Sequence, residues 1–397
     1  MCTMRKTFKY RIYPSEEQEE ELNEWLDTCH RLYNQSLNDR KVAYDYAKVR
    51  LNYYDQANAL KVMKDDDKWL QKVHSQVLQD VLKRLDKAFQ NFFLRVKAGE
   101  KPGYPRFKSI DRYDSFTFPQ AGYKIEDGNK LILSKIGAIT LKQHREIPEE
   151  AVIKTCAIKR DVNQWYVSFV VEFPDAKIEK KEIKSVVGID VGLNAMATLS
   201  TGEKIPNPRW LRTSEQKLAK EQRKLSRKKK GSKNRKKQKI KVAKVHRTIR
   251  NQRKDFNHKL SQELVDRYDL IIFEDLKIKN MLKNHYLAKS ISDVGWNQLV
   301  SFVNYKAEGA GKIMELINPK GTSQMCSGCG AEVKKSLAVR THKCPHCGLV
   351  MDRDWNAALN IRRRGLEKIG QELSKSITPV EMFAGMSSKQ EATQLVG

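Results

Sequence analysis

Four cysteines fall into two tight pairs, Cys326-Ser-Gly-Cys329 and Cys344-Pro-His-Cys347, each trailed by a glycine, with fourteen residues between them. Two C-x-x-C knuckles at this spacing bring four thiolates around a tetrahedral Zn²⁺, the intervening residues forming a hairpin. The competing reading is four unliganded thiols or a redox pair, but a redox C-x-x-C has no use for a second copy with the same trailing glycine. A closed shell of four thiolates is structural: it positions its neighbours and does no chemistry. His342 and His346 are alternative ligands by position, although four cysteines already complete the shell.

Three acidic residues are set apart by their surroundings. Asp190 lies inside an apolar, glycine-containing run, Glu274 ends the run Leu270-Ile-Ile-Phe, and Asp354 directly precedes a helical segment beyond the second knuckle. A carboxylate in or at the end of a core strand loses hydration and is rarely kept there without a cation. Three that converge would bind Mg²⁺, and two such ions about 4 Å apart activate water and stabilise the leaving oxygen in phosphodiester hydrolysis. Each acid also has a plainer reading: Asp354 as a helix N-cap, Asp190 as the start of a turn before Gly192, Glu274 as an arginine partner. Taken together, in one α/β domain of a basic protein, the three favour the metal reading.

The 397 residues carry 76 Lys and Arg against 48 Asp and Glu, a net +28 that points to a polyanionic partner. Residues 217–254 alone hold 19 of those cations and one acid, Glu221, split by Gly231-Ser232 into two helical segments. Like charges at i,i+4 destabilise a helix unless polyphosphate neutralises them, so nucleic-acid contact is expected here, ahead of a solvated helical pair or a localisation signal. The candidate contacts are Lys217, Arg223, Lys224, Arg227, Lys228, Lys229, Lys230, Arg235, Lys236, Lys237, Arg247, Arg250 and Arg253. A second region interleaves Tyr104, Phe107, Phe116, Phe118 and Tyr123 with Lys101, Arg106, Lys108, Arg112 and Lys124, a pattern suited to backbone tracking or base stacking. Tyr104, Arg106 and Lys108 are its candidate contacts, and a core role for the aromatics is an equal alternative.

These groups need elements to hold them. Residues 7–13 alternate as a half-buried strand that Pro14 ends, and Ser15-Glu-Glu-Gln18 has capping-box spacing before a helical stripe that runs to about residue 38. A longer stripe over 69–96 makes 15–98 a helical insertion after one strand. Short alternating runs over 116–173, separated by turns such as Asp127-Gly-Asn, read as a β-barrel or sandwich that the first strand could join. Beyond a charged linker at 177–184, buried strands at 185–193, 270–273 and 312–317 alternate with helices, which defines an α/β domain. No apolar run approaches the ~18 residues of a membrane span, and the N-terminus is basic where a signal peptide would be apolar, so a cytoplasmic location is expected with no membrane partner.

The order Gly188-Ile-Asp-Val-Gly, Phe273-Glu-Asp-Leu, Thr322-Ser-Gln-Met-Cys-Ser-Gly-Cys-Gly, Cys344-Pro-His-Cys-Gly and Asp352-Arg-Asp-Trp-Asn-Ala-Ala-Leu-Asn-Ile resembles TnpB, the insertion-sequence nuclease family related to compact type V CRISPR effectors. Pro102-Gly-Tyr-Pro-Arg-Phe-Lys and the N-terminal strand extend the likeness over nearly the whole chain. The resemblance implies a multidomain α+β protein. An RNase H-like (RuvC) α/β nuclease domain would span 185–320 and 351–369, with the basic helical hairpin at 214–254 and a four-Cys zinc ribbon inserted at 321–350. An N-terminal β-barrel (wedge) domain, 1–14 and 99–184, would carry a helical recognition domain, 15–98, and 370–397 would be a disordered tail.

By the same resemblance the activity is that of an RNA-guided DNA endonuclease. Asp190, Glu274 and Asp354 would hold two catalytic Mg²⁺, and Cys326, Cys329, Cys344 and Cys347 one structural Zn²⁺. The partners would be a guide RNA and a double-stranded DNA target cut beside a short adjacent motif, with base pairing reading the target. A bacterial or archaeal nucleoid would be the setting, and a monomer is expected over a homodimer, though compact relatives use both. All three acids stand where the family has them, which speaks against nuclease-dead, repressor-like relatives. The rival is a zinc-ribbon nucleic-acid-binding regulator of transposition that does not cut. Asp352, Asp275, Arg353 and Asn356 are candidates to orient ligands or phosphate, and His258 reads as a structural histidine.

Overall fold

The computed structural model describes residues 4–173, 179, 181–281, 283, 285–336 and 339–373, apart from the side chains of 285–287 and 371–373. The tail expected at 370–397 therefore lies, from 374 onward, outside the described residues. The chain forms two compact units, Met1–Lys177 and Ile178–Gly397.

In the first unit, β1 (Met4–Tyr13) buries Phe8, Tyr10 and Ile12 and exposes Thr7 and Lys9, as its alternation requires. The capping box then starts α1 (Glu16–Ala47): Ser15 Oγ accepts from the Gln18 amide and Gln18 Oε1 from the Ser15 amide. The helix runs nine residues beyond the expected end, stopping where Lys48 turns left-handed at φ 54°. Next come α2 (Tyr53–Asp66), α3 (Lys68–Lys72) and α4 (Ser75–Lys97), the last carrying the long apolar stripe on Val77, Leu78, Val81, Leu82 and Leu85.

Six further strands follow: β2 (Ser115–Phe118), β3 (Tyr123–Glu126), β4 (Lys130–Leu133), β5 (Gly137–Lys142), β6 (Val152–Asp161) and β7 (Gln164–Phe173). With β1 they make one antiparallel sheet in the order β2-β6-β7-β1-β5-β4-β3. Among the described residues no ladder joins β2 to β3, so hydrogen bonds do not close the sheet into the expected barrel. Pro119, directly after β2, has no N–H to donate to such a ladder. Side chains meet there instead: the Tyr123 ring lies 6.3 Å from Phe118 and 6.2 Å from Phe169, and its hydroxyl donates to Ile153 O at 3.3 Å. Phe116 and Phe118 are fully buried in this core.

The second unit opens with β8 (Val186–Val191), β9 (Ala195–Leu199) and β10 (Lys204–Pro206), then the helices α5 (Trp210–Ser226) and α6 (Lys233–Arg267). Then follow β11 (Leu270–Glu274), α7 (Ile278–Met281), α8 (His285–Val294), α9 (Trp296–Gly309) and β12 (Ile313–Ile317). A short hairpin of β13 (Thr341–Lys343) and β14 (Val350–Asp352) leads into α10 (Arg353–Leu373). The sheet order is β10-β9-β8-β11-β12, with β8, β9 and β10 antiparallel and β8, β11 and β12 parallel. On one face Val187, Ile189, Ile271 and Phe273 pack with Leu260 and Leu264 of α6 and Leu299 and Val303 of α9. On the other, Leu270 and Ile272 meet Ile361 and Ile369 of α10.

Candidate active site

Parallel pairing sets two of the acids abreast. Phe273 of β11 is the register partner of Ile189 of β8, so Glu274 and Asp190 follow one residue on at the carboxyl ends of adjacent strands. Side chains alternate along a strand, so both acids share the face of Ile272 and Gly188, which are also register partners. That is the face α10 covers. A Cβ on Gly188 would overlap the Ala358 carbonyl oxygen and the Arg362 amide nitrogen and come within 2.8 Å of the Arg362 Cα. Only glycine lets the helix backbone approach so closely. From that crossing, two residues along β8 advance about 6.6 Å to Asp190, and one turn back along α10 covers about 6 Å to Asp354. The third acid thus reaches the same end of the sheet.

The plainer role open to Asp354 belongs to Asp352. Its Oδ1 accepts from the amides of Asp354 at 3.0 Å and Trp355 at 3.2 Å, which makes it the N-cap of α10, and its Oδ2 pairs with Lys204 at 2.7 Å. The Asp354 Oδ1 instead accepts from Arg353 Nε and Nη2 at 3.1 and 3.0 Å, and Arg340 comes within 3.8 Å of its Oδ2. Glu274 is held by the Thr322 hydroxyl, which donates to its Oε1. The Asp190 carboxylate receives no hydrogen bond from any described residue.

The electrostatics follow from this layout. Burial pushes the Asp190 carboxyl well above the usual carboxylate range, the charges of Glu274 and Asp354 push the same way, and Arg353 offsets them only in part. Burial also raises Glu274, against the pull of Thr322 and Arg364. On Asp352 burial works upward too, but Lys204 and the capping amides outweigh it and hold the carboxyl low. Mutually repelling, poorly hydrated carboxylates are a hard-oxygen donor set that a divalent cation fits.

The four cysteines are gathered more tightly. Cys326 Sγ lies 3.6 Å from Cys347 Sγ and Cys329 Sγ 3.6 Å from Cys344 Sγ. Thiolates placed tetrahedrally at the usual ~2.3 Å Zn–S distance would be about 3.8 Å apart, so the spacing suits that ion. Among the described residues this is the one group of three or more potential ligands whose atoms all lie within 4.8 Å of one another, and the three carboxylates stand further apart. Neither His342 nor His346 joins it; His342 is fully buried and contacts Lys335 through Nδ1.

Two buried asparagines one turn apart on α10 tie the first knuckle to the helix. Asn356 Nδ2 donates to Met325 O at 2.7 Å while its Oδ1 accepts from the Ser327 amide at 2.9 Å. Asn360 Nδ2 donates to Thr322 O at 2.8 Å and to Met325 O at 2.7 Å. Asn356 was legible as a candidate. Thr322, Asn360, Lys204 and Arg340 were not, and the i,i+4 spacing of the two asparagines is the signal that could have drawn Asn360 in.

The basic segment is an antiparallel pair, α5 against α6, sealed by Leu218, Val245 and Ile249. Lys217, Arg223, Lys224, Arg227, Lys228, Lys229, Lys230, Lys236, Lys237 and Arg250 are exposed along it, and Arg247 is half-buried. Two expected contacts are occupied inside the protein. Arg235 Nη1 donates to Leu225 O at 2.7 Å and Lys228 O at 2.9 Å, closing the end of α5. Arg253 pairs at 2.8 Å with the buried Asp293, which also accepts the Leu211 amide at the start of α5. In the first unit Tyr104 packs edge-on against Phe89 and Phe92, with Arg106 exposed nearby. Lys108 is turned inward, its ammonium 4.1 Å from the Tyr33 ring centroid. His258 stacks on Phe302 at 3.9 Å, a packed histidine as expected.

Comparison with solved structures defines the class first. The chain is similar in fold to the protein of a Cas12f1–sgRNA–target DNA complex, with TM-score 0.55 and 16% identity over 91% of this chain and 99% of that one. It is also similar to the mini-RNA-guided endonuclease CRISPR-Cas phi3, with TM-score 0.52 and 9% identity over 91% and 92% of the two chains. The class is the multidomain α+β fold of compact Cas12 proteins. Family models described as "Probable transposase" (OrfB of IS605), "Cas12f1-like, TNB domain" and "Helix-turn-helix domain" match residues 168–285, 296–361 and 1–48. The last of these ranges folds here as β1 and the single long helix α1. A "Putative RNA-guided DNA endonuclease" of Streptomyces pristinaespiralis is 37% identical over 92% of this chain and 90% of its own length. InsQ of Escherichia coli K12, described in the same words, is 29% identical over 98% of both chains. The chain belongs to the TnpB family.

Proposed function

We propose that the protein is an RNA-guided DNA endonuclease that hydrolyses target DNA beside a short adjacent motif, using Mg²⁺ held by Asp190, Glu274 and Asp354. The observation that carries this reading is the convergence at one sheet end of three carboxylates from β8, β11 and α10, with the capping duty of α10 taken by Asp352. The names of the relatives and the guide-bound Cas12f1 neighbour support the RNA-guided part. On this reading the second unit is a RuvC-like nuclease domain of RNase H fold, over 185–320 and 351–369. The zinc ribbon, 321–350, holds one Zn²⁺ through Cys326, Cys329, Cys344 and Cys347. The seven-stranded sheet serves as the wedge and residues 15–98 as the recognition lobe, and the protein acts as a monomer.

Two bound Mg²⁺ supply activation of the attacking water and neutralisation of the leaving oxygen. The rest falls to the chain. Asp190, with no donor of its own among the described residues, offers its carboxylate to the metals, and Thr322 fixes the orientation of Glu274. Arg353 balances the charge of Asp354, and the half-exposed Arg340 beside it offers a guanidinium to a backbone phosphate. The exposed lysines and arginines of α5 and α6 neutralise guide and heteroduplex phosphates.

The test is to express the protein with its native flanking locus, sequence the RNA that copurifies, and challenge the complex with a matching plasmid library and Mg²⁺ beside Asp190→Ala. A defined RNA with cutting that Asp190→Ala abolishes is the expected result. Bound RNA and bound target without cutting would instead favour the regulator, and absence of RNA would sink guidance.

A further inference from the structure

We propose that Thr322 is a positioning residue for Glu274, and that through it the cysteine knuckle controls how tightly the carboxylate site binds its divalent metal. The inference rests on the reading of Asp190, Glu274 and Asp354 as metal ligands. Thr322 is only 3% exposed and lies four residues before Cys326. Its hydroxyl reaches both Glu274 Oε1 and Pro319 O, the latter at 3.1 Å. Its carbonyl is held by Asn360, and the same asparagine, with Asn356, holds Met325 O directly before the first cysteine. A continuous run of bonds therefore joins Cys326, the loop before it, the buried asparagines of α10 and the Glu274 carboxylate.

This run ends on Glu274 Oε1, which the Thr322 hydroxyl holds from one side. A hydroxyl donating to a carboxylate makes a charge-assisted bond and stabilises the charged, ligating form. Outer partners of metal-binding carboxylates act in this way, and their loss costs about 10- to 100-fold in metal affinity. The first knuckle is bonded toward the acids by two routes, through Asn356 to the α10 turn that carries Asp354 and through the loop before Cys326 to Glu274. Among the described residues of that loop, Thr322 is the one whose side chain hydrogen-bonds one of the three carboxylates.

The full chain is titrated with Mn²⁺ as a paramagnetic probe, by electron paramagnetic resonance, in wild type, Thr322→Val, Thr322→Ser and Asp190→Ala, with zinc content and guide RNA binding measured in parallel. Thr322→Val is expected to bind Mn²⁺ about 10- to 100-fold more weakly and to need correspondingly more Mg²⁺ for half-maximal cleavage. It should keep one zinc per chain and wild-type RNA affinity, and Thr322→Ser should restore Mn²⁺ affinity. Unchanged Mn²⁺ affinity in a zinc-replete Thr322→Val, or an equal loss in valine and serine variants, overturns the proposal. Should the valine variant shed zinc, Asn360→Ala decides: Mn²⁺ affinity as in wild type with zinc retained overturns it, and weakened affinity supports it. A wild type lacking any Asp190-dependent Mn²⁺ site removes the nuclease reading as well, whereas a wild type that binds and cuts beside a silent Thr322→Val removes this inference alone.

Discussion

The second unit holds two sets of converging side chains, four thiols and three carboxylates, built in opposite ways. The cysteines sit between positions 326 and 347, and each knuckle is closed by its own turn, Gly330 N to Cys326 O at 2.9 Å and Gly348 N to Cys344 O at 3.0 Å. The carboxylates are spread over 164 residues, from Asp190 to Asp354, and meet only because two strands pair in parallel register and a helix crosses one of them at a glycine. A local set survives errors elsewhere in the fold. A topological set depends on each interface that gathers it.

That contrast can be broken by substitution. The largest effect is expected at the acids: Asp190→Asn or Asp354→Asn should lower the cleavage rate by more than about 10³-fold, well beyond the ~10- to 100-fold cost of an outer partner, in a single-turnover assay with saturating guide. Asp190→Asn should also raise the thermal midpoint of metal-free protein, because it removes a buried charge that Glu274 and Asp354 repel. Gly188→Ala comes next. Its methyl group collides with the backbone of α10, and a loss of about 3 kcal/mol or more is expected in denaturant unfolding. Zinc content should stay at one per chain, and loss of zinc there would erase the distinction between local and topological sets.

Cys344→Ser tests the reverse direction. Hydrogen exchange should speed at the Asp354 and Trp355 amides, which hang from the end of β14, and stay slow in β8 and β11. The smallest effect is expected at the cap: Asp352→Ala should cost about 1 kcal/mol of stability while Asp352→Asn, still able to cap, should cost only a few tenths. A large loss in the asparagine variant would mean that the Lys204 pair, and not the cap, is what holds the helix start.

The same contrast explains what could be read before folding. The Ser15 capping box, the alternation of β1 and the two knuckles are signals carried within a few residues, and each was visible. The asparagines, Thr322 and Gly188 act on partners between 29 and 174 residues away in sequence, as Asn356 does on Ser327 and Gly188 on Arg362, so the motifs that contain them were visible while the partners were not. Asp352 and Asp354 are the same residue type two positions apart, and only hydrogen-bond geometry tells cap from candidate ligand. Arg235 and Arg253 looked like their exposed neighbours because their partners, the end of α5 and Asp293, come from elsewhere in the chain. The sheet around β1 read as a barrel because alternation reports which face is buried and is silent on whether the outermost strands pair.

The separation of Asp190 from Asp354 is also a separation in time. A ribosome adding about 5–20 residues per second takes roughly 8–33 s to travel between them. During that interval the nascent chain already displays the cationic α5 and α6 to any RNA nearby, while the carboxylate that completes the acidic set has yet to be made. Capture of nucleic acid can therefore precede the ability to cut it, an order written into the chain by placing α10 after everything it must join.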